Sequence, residues 1–112
     1  ELHLINIQSY INATQQGILE SQISRPQDGE TVSISLSKLK ETMPKINLAD
    51  PNSPTKQSYH LDSEIQIKNI NGSLEYYIGL KNHTDSHHYI DTTNNPDAIK
   101  SFNIKKSNIL IP

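Results

Sequence analysis

Residues 64–80 read EIQIKNINGSLEYYIGL, and this stretch decides the fold. Its centre, Asn71-Gly72, lies between two runs of alternating apolar and polar residues, and the dipeptide is typical of the type I′ turn of a β-hairpin. The pairs that such a turn imposes are Ile70 with Ser73, Lys68 with Glu75, Ile67 with Tyr76, and Ile65 with Ile78. Apolar pairs therefore share one face and opposite charges share the other, which stabilises a hairpin. We expect Leu61 and Leu80 to continue the apolar face.

Residues 1–23 predict an amphipathic helix before the hairpin. Apolar side chains recur there at intervals of three and four residues, the spacing that places them on one face of a helix. The members of this face, which we expect to pack on the sheet, are Leu4, Ile7, Ile11 and Ile18. Gly17 costs a helix about 1 kcal/mol relative to Ala. Either another segment approaches Gly17 closely or the helix bends or ends there; we favour its continuation to Ile23.

The remaining sequence completes one α+β domain, residues 1–112, in which the N-terminal amphipathic helix packs on an antiparallel β-meander. In this prediction the meander occupies residues 57–112 and includes a polar loop, residues 82–98. A last strand follows the loop at residues 99–104 and 109–111, because apolar residues alternate again there.

Residues 24–56 are predicted to connect the helix to the meander, and they contain two competing patterns. An extended segment is indicated by the alternation of Val32, Ile34 and Leu36. A short helix is indicated instead by Ser35 or Ser37, either of which could cap it, and by Pro44, which would end it. The sequence alone leaves both interpretations open.

Composition excludes several classes of function. The chain has 112 residues, a length that suits one domain, and its formal net charge of −2 comes from scattered basic and acidic residues. Nucleic acid is therefore not expected as a partner, because phosphate binding rests on a clustered basic patch. The absence of cysteine excludes disulfide bonds. No apolar run approaches the roughly 20 residues that span a bilayer, so a soluble domain is predicted.

The polar loop contains the strongest candidates for chemistry, and Tyr89-Ile90 could add a short strand within it. Between residues 82 and 91 lie three histidines and two aspartates: His83, His87, His88, Asp85 and Asp91. Three imidazoles could bind a transition metal, but their spacing matches no established ligand pattern. An exposed polar loop without a metal is the favoured interpretation, and no cofactor is expected. No motif links Ser, His and Asp into a hydrolytic site, so neither enzymatic activity nor a catalytic residue is predicted.

A resemblance to a known family rests on four groups of residues. They are the helix segment 10–20, YINATQQGILE; the region of Leu39 and Met43; Asp50-Pro51 followed by Tyr59; and the hairpin end Tyr76-Tyr77-Ile78-Gly79. With these residues and this order of elements, the chain resembles the soluble part of a bacterial type IV pilin or pseudopilin without the hydrophobic half of its N-terminal helix. The sequence lacks the family's cleavage motif and hydrophobic segment, and also the pair of C-terminal cysteines found in many pilins.

The resemblance implies a membrane-anchored subunit that polymerises through its N-terminal helix into a filament at the cell surface. Its partners would be other pilin subunits and, before assembly, the inner membrane through a segment upstream of Glu1. The apolar helix face would then be shared between the domain's own sheet and neighbouring subunits, and the polar loop would be displayed. The alternative is an extracellular binding module or adhesin that uses the polar loop to hold a glycan, a protein or a metal.

Overall fold

The computed structural model describes residues 2–94, which form an N-terminal helix and a four-stranded antiparallel sheet. The elements in chain order are α1 (Leu2–Leu19), β1 (Thr31–Ser35), α2 (Leu36–Thr42), β2 (Glu64–Ile70), β3 (Ser73–Lys81) and β4 (His88–Asp91). The strands lie in the order β1-β2-β3-β4, so each pairs with its neighbour in sequence. The prediction of an α+β fold with a helix on an antiparallel meander is confirmed at this level.

The β2–β3 hairpin has the predicted register. Ile70 pairs with Ser73 and Lys68 pairs with Glu75, and the apolar pairs fall on the inward face. The turn residues Asn71 and Gly72 have φ angles of 54° and 89°, both in the left-handed region that a type I′ turn requires. The turn is also tied to the rest of the chain, because the Asn71 backbone N–H donates to Asp28 Oδ1 at 2.8 Å.

Helix α1 packs its predicted apolar face on the sheet. Ile7 and Ile11 are buried in the core together with Tyr10, whereas Leu4 and Ile18 are partly buried against its edge. This arrangement follows from the helical spacing of the apolar residues, since all five lie within one side of the helix.

The helix ends at Leu19 and not at the predicted Ile23. After the helix the chain turns back sharply, with Ser21 at a φ of 62°. The backbone N–H groups of Gln22 and Ile23 both donate to the carbonyl oxygen of Gly17. Ile23 then packs on Gly17, so the close approach expected at this glycine comes from the residues that follow the helix.

The sheet begins earlier than predicted, because β1 lies within the region assigned as a connection. Both competing patterns are correct in succession: β1 ends at Ser35, and the same residue caps α2 by accepting a hydrogen bond from the Lys38 N–H at 3.1 Å. Helix α2 ends at Thr42, ahead of Pro44. The meander therefore starts at residue 31 and not at residue 57.

The ends of the hairpin differ from expectation in one residue. Leu80 is fully buried as predicted, but Leu61 is 47% exposed because β2 begins only at Glu64. Strand β4 confirms the short strand suggested around Tyr89. The last strand predicted at 99–104 and 109–111 lies outside the described residues. Among residues 2–94, no helix has the length and apolar character needed to cross a bilayer.

Candidate functional site

A buried carboxylate organises the polar side of the domain. The side chain of Asp50 has no solvent exposure. Its Oδ1 accepts a hydrogen bond from the Asn52 N–H at 2.8 Å, and its Oδ2 accepts from the Tyr89 hydroxyl at 2.8 Å. His83 contacts Oδ2 twice, through ring Nδ1 at 2.6 Å and through the backbone N–H at 3.2 Å. Asp50 therefore joins the loop after α2 to the polar loop and β4.

Local sequence explains how Asp50 is held in place. Asp50-Pro51-Asn52 forms a turn in which the carboxylate bonds the backbone two residues on, as Asp commonly does. The Asp50 N–H donates to the Gln57 carbonyl oxygen at 2.8 Å, and an isolated β-bridge pairs Ala49 with Ser58. The loop is thus braced on both sides of the carboxylate.

An aromatic cluster connects this carboxylate to the start of α1. The ring of His3 stacks on Tyr89 with 4.1 Å between centroids, and Tyr59 meets both Tyr10 and Tyr89 edge to face. The Tyr59 hydroxyl accepts a hydrogen bond from Asn6 at 2.8 Å and lies 2.8 Å from His3 Nδ1. We name the set His3, Tyr10, Tyr59 and Tyr89 the aromatic cluster.

The charge of Asp50 changes the acidity of the groups around it. Burial alone would raise the pKa of Asp50, but the hydrogen bonds from the Asn52 N–H, His83 and the Tyr89 hydroxyl outweigh it, and the pKa is lowered. Burial, followed by the bond to Asp50, raises the pKa of Tyr89 to about 12. Burial also raises the pKa of Tyr59 to about 12. At neutral pH the site therefore contains a carboxylate and neutral phenols.

The histidines of the polar loop do not meet in one site. Each pairs with a different aspartate: His83 with Asp50, His87 with Asp85 at 2.7 Å, and His88 with Asp91 at 3.6 Å. Within the described part of the chain, no three His, Asp or Glu side chains are grouped so that they could hold a metal ion. The metal site considered for His83, His87 and His88 is therefore not formed by these three residues together.

The loop itself is braced at its base and exposed at its tip. The side-chain oxygen of Asn82 accepts hydrogen bonds from the backbone N–H groups of Asp85 and Ser86. The side chains of Asp85 and His87 remain 68% and 62% exposed. The hydrogen bond from His87 lowers the pKa of Asp85 to about 2. The tip therefore presents an ionised carboxylate and an imidazole on a rigid turn.

A shallow depression of about 430 Å³ lies beside the buried carboxylate. Its lining consists of Gln57, Ser58, Tyr59, His60, Leu61 and His83. His83 is only 12% exposed, and Asp50 supports it from behind, whereas His60 is 37% exposed at the rim. The depression offers two imidazoles, an amide and a hydroxyl to a ligand.

Sequence reasoning missed Asp50 and His60 as members of this site. Asp50 was assigned only to a proline-marked turn, and His60 stands alone in the sequence, 23 residues before His83. The one available signal was Asp50-Pro51-Asn52, a turn whose carboxylate has a local bonding role. No family model, curated protein or solved structure compared with the chain matches it significantly.

Proposed function

We propose that the protein is a structural subunit, minor or specialised, of a type IV pilus or a related secretion pseudopilus. In this proposal it assembles into a surface filament through its N-terminal helix, and its role is mechanical and not enzymatic. Before assembly a segment upstream of Glu1 anchors it in the inner membrane.

Support comes from the start of α1. The predicted face is used by the domain itself, since Ile7 and Ile11 are 0% and 1% exposed. Leu2 and Ile5, by contrast, are 63% and 62% exposed and lie three residues apart, on one side of the helix. Large apolar side chains left in solvent favour burial against another protein. The proposed assembly surface is therefore Leu2 and Ile5, and not the face that contains Ile7 and Ile11.

Charge substitutions in the full-length protein, produced in the cells that make the filament, test this proposal. We expect Leu2→Asp and Ile5→Asp to remove the subunit from the filament fraction sheared off the cell surface, while its total cellular amount stays unchanged. Ile70→Asp is the matched control, because Ile70 is 48% exposed at the far end of the hairpin. Unchanged incorporation of the Leu2 and Ile5 variants would reject the proposed assembly surface.

The precursor sequence gives an independent test. The proposal requires an apolar segment of about 20 residues that runs directly into Glu1, since this length spans a bilayer. A polar domain in that position would overturn the proposal whatever the behaviour of the variants.

An extracellular binding module or adhesin is the second candidate, and the polar loop favours it. Asp85 and His87 are exposed at the tip of a turn braced by Asn82, so their positions are set before a ligand arrives. The double variant Asp85→Ala, His87→Ala should lose binding to a glycan array that the parent protein recognises. An array without signal from the parent protein would reject the glycan form of this candidate.

A further inference from the structure

The two imidazoles of the depression have the same electrostatic arrangement. His83 Nδ1 lies 2.6 Å from Asp50 Oδ2, and His60 Nδ1 lies 2.6 Å from Asp62 Oδ1. The contact of His83 is a hydrogen bond. That of His60 has the distance of an ion pair but not the geometry of a hydrogen bond, so His60 Nδ1 is buried without a hydrogen-bond partner among the described residues.

These carboxylates assign the tautomer of both rings. An unprotonated Nδ1 would direct its lone pair at a negative oxygen, which is repulsive, so the proton of the neutral ring belongs on Nδ1. The lone pair of each ring is then on Nε2. A carboxylate on one ring nitrogen and a lone pair on the other is the arrangement in which histidine binds metals in proteins.

Both Nε2 atoms are accessible. Within residues 2–94, neither His60 Nε2 nor His83 Nε2 makes a hydrogen bond, and neither is among the buried polar atoms that lack a partner. Both side chains line the same depression of about 430 Å³, which is open to solvent. A ligand in the depression can therefore reach both imidazoles.

We propose that His60 and His83 bind a divalent transition-metal ion through their Nε2 atoms in this depression. Asp62 and Asp50 orient the two rings, and water completes the coordination of the ion. Imidazole ligands suit copper, nickel and zinc, and copper binds most tightly to such a site. The site differs from the one considered within the polar loop, and it does not depend on the filament proposal.

Calorimetric titration of the full chain with Cu²⁺, Ni²⁺ and Zn²⁺, each alone, tests the site. We expect saturable binding of one ion, tightest for Cu²⁺. His60→Ala should abolish this binding, whereas His88→Ala, a control from the polar loop, should leave it unchanged. Absence of binding by the parent protein, or unchanged binding by His60→Ala, would overturn the proposal.

The supporting carboxylates give a second test that keeps both histidines. Asp62 is 61% exposed, so Asp62→Asn should fold, and it should weaken the binding of Cu²⁺ about 10- to 100-fold, as loss of a partner behind a metal ligand does. Asp85→Asn is the matched control, because Asp85 is 68% exposed and pairs with His87. Equal effects of the two substitutions would show a loss of general negative charge and would contradict the site.

Discussion

Ile23 packs directly on the backbone of Gly17: a Cβ atom at position 17 would lie 2.5 Å from Ile23 Cδ1 and 2.9 Å from Cγ1. Ile23 is 4% exposed and belongs to the core, so it has little room to move. Alanine would gain about 1 kcal/mol of helix propensity, but overpacking a core costs about 1–3 kcal/mol. We expect Gly17→Ala to lower the free energy of unfolding by about 1 kcal/mol in urea denaturation.

The same substitution should act oppositely once Ile23 is shortened. In the Ile23→Ala background the clash is gone and only the propensity remains, so Gly17→Ala should stabilise by up to about 1 kcal/mol. Stabilisation by Gly17→Ala in the parent protein would contradict the close packing at this glycine.

Gly72 tests the turn without any steric effect. No atom lies within 4 Å of a Cβ built on Gly72, but its φ is 89°. A left-handed conformation costs an L-residue about 1–2 kcal/mol, so Gly72→Ala should reduce the free energy of unfolding by about this amount. Gly72→Asn should cost less, because Asn tolerates this conformation. Thermal unfolding of both variants measures the difference, and equal losses would show that backbone strain is not the cause.

Asp50 should make the stability of the protein depend on pH in the acid range. Its folded pKa lies below its usual value, so its contribution to stability is present above the unfolded pKa of about 3.9 and is lost as the pH falls through the folded pKa. At neutral pH, Asp50→Asn should cost about 1–3 kcal/mol, because it weakens bonds to buried donors.

The measurement for Asp50 is the difference in free energy of unfolding between the parent protein and Asp50→Asn, followed by urea denaturation from pH 7 to pH 3. This difference should stay constant at the upper end of the range and shrink below about pH 4. Taking the difference removes the contributions of Asp62, Asp85 and Asp91, whose pKa values are also lowered. A difference that does not change with pH would contradict the role of the carboxylate.

Gln15 is a buried polar residue whose removal should not harm the fold. It is 3% exposed, and its Nε2 has no hydrogen-bond partner within the described part of the chain. An unpaired buried donor is unfavourable, so Gln15→Met, which keeps the length of the side chain, should leave stability unchanged or raise it by about 1 kcal/mol.

Thr92 provides the comparison for Gln15 in the same denaturation experiment. Thr92 is also buried, but its hydroxyl accepts from the Ile78 N–H at 2.6 Å and donates to the Ile78 carbonyl oxygen at 2.9 Å. Thr92→Val should therefore destabilise by about 1–3 kcal/mol. A greater loss from Gln15→Met than from Thr92→Val would mean that the Gln15 amide has a partner in solution.

Features of the fold that depend on neighbouring residues were predictable from the sequence. The register of the β2–β3 hairpin follows from Asn71-Gly72, and the buried face of α1 follows from the spacing of its apolar residues. The end of α1 and the role of β1 were not predictable in this way. The helix ends at Leu19 because Ile23 returns to pack on Gly17, and β1 is a strand because it pairs with β2 across a connection that contains α2.

The candidate site could be predicted only in part, for the same physical reason. The sequence pointed to the polar loop, and His83 does belong to the site. Its partner Asp50 lies 33 residues away, and His60 belongs to a segment between α2 and β2 with no periodic pattern. Contacts between loops depend on how the sheet and helix bring them together, and neither composition nor spacing contains that information.

The stacking of His3 on Tyr89 has a mechanical consequence. Tension applied to the start of α1 acts first on His3 and Asn6, the residues that join the helix to Tyr59 and Tyr89. These contacts must shear before the load reaches Ile7 and Ile11 in the core. A pull on the helix is therefore transmitted to β4 and the loop before it, while the β2–β3 hairpin is the last part of the domain to bear the strain.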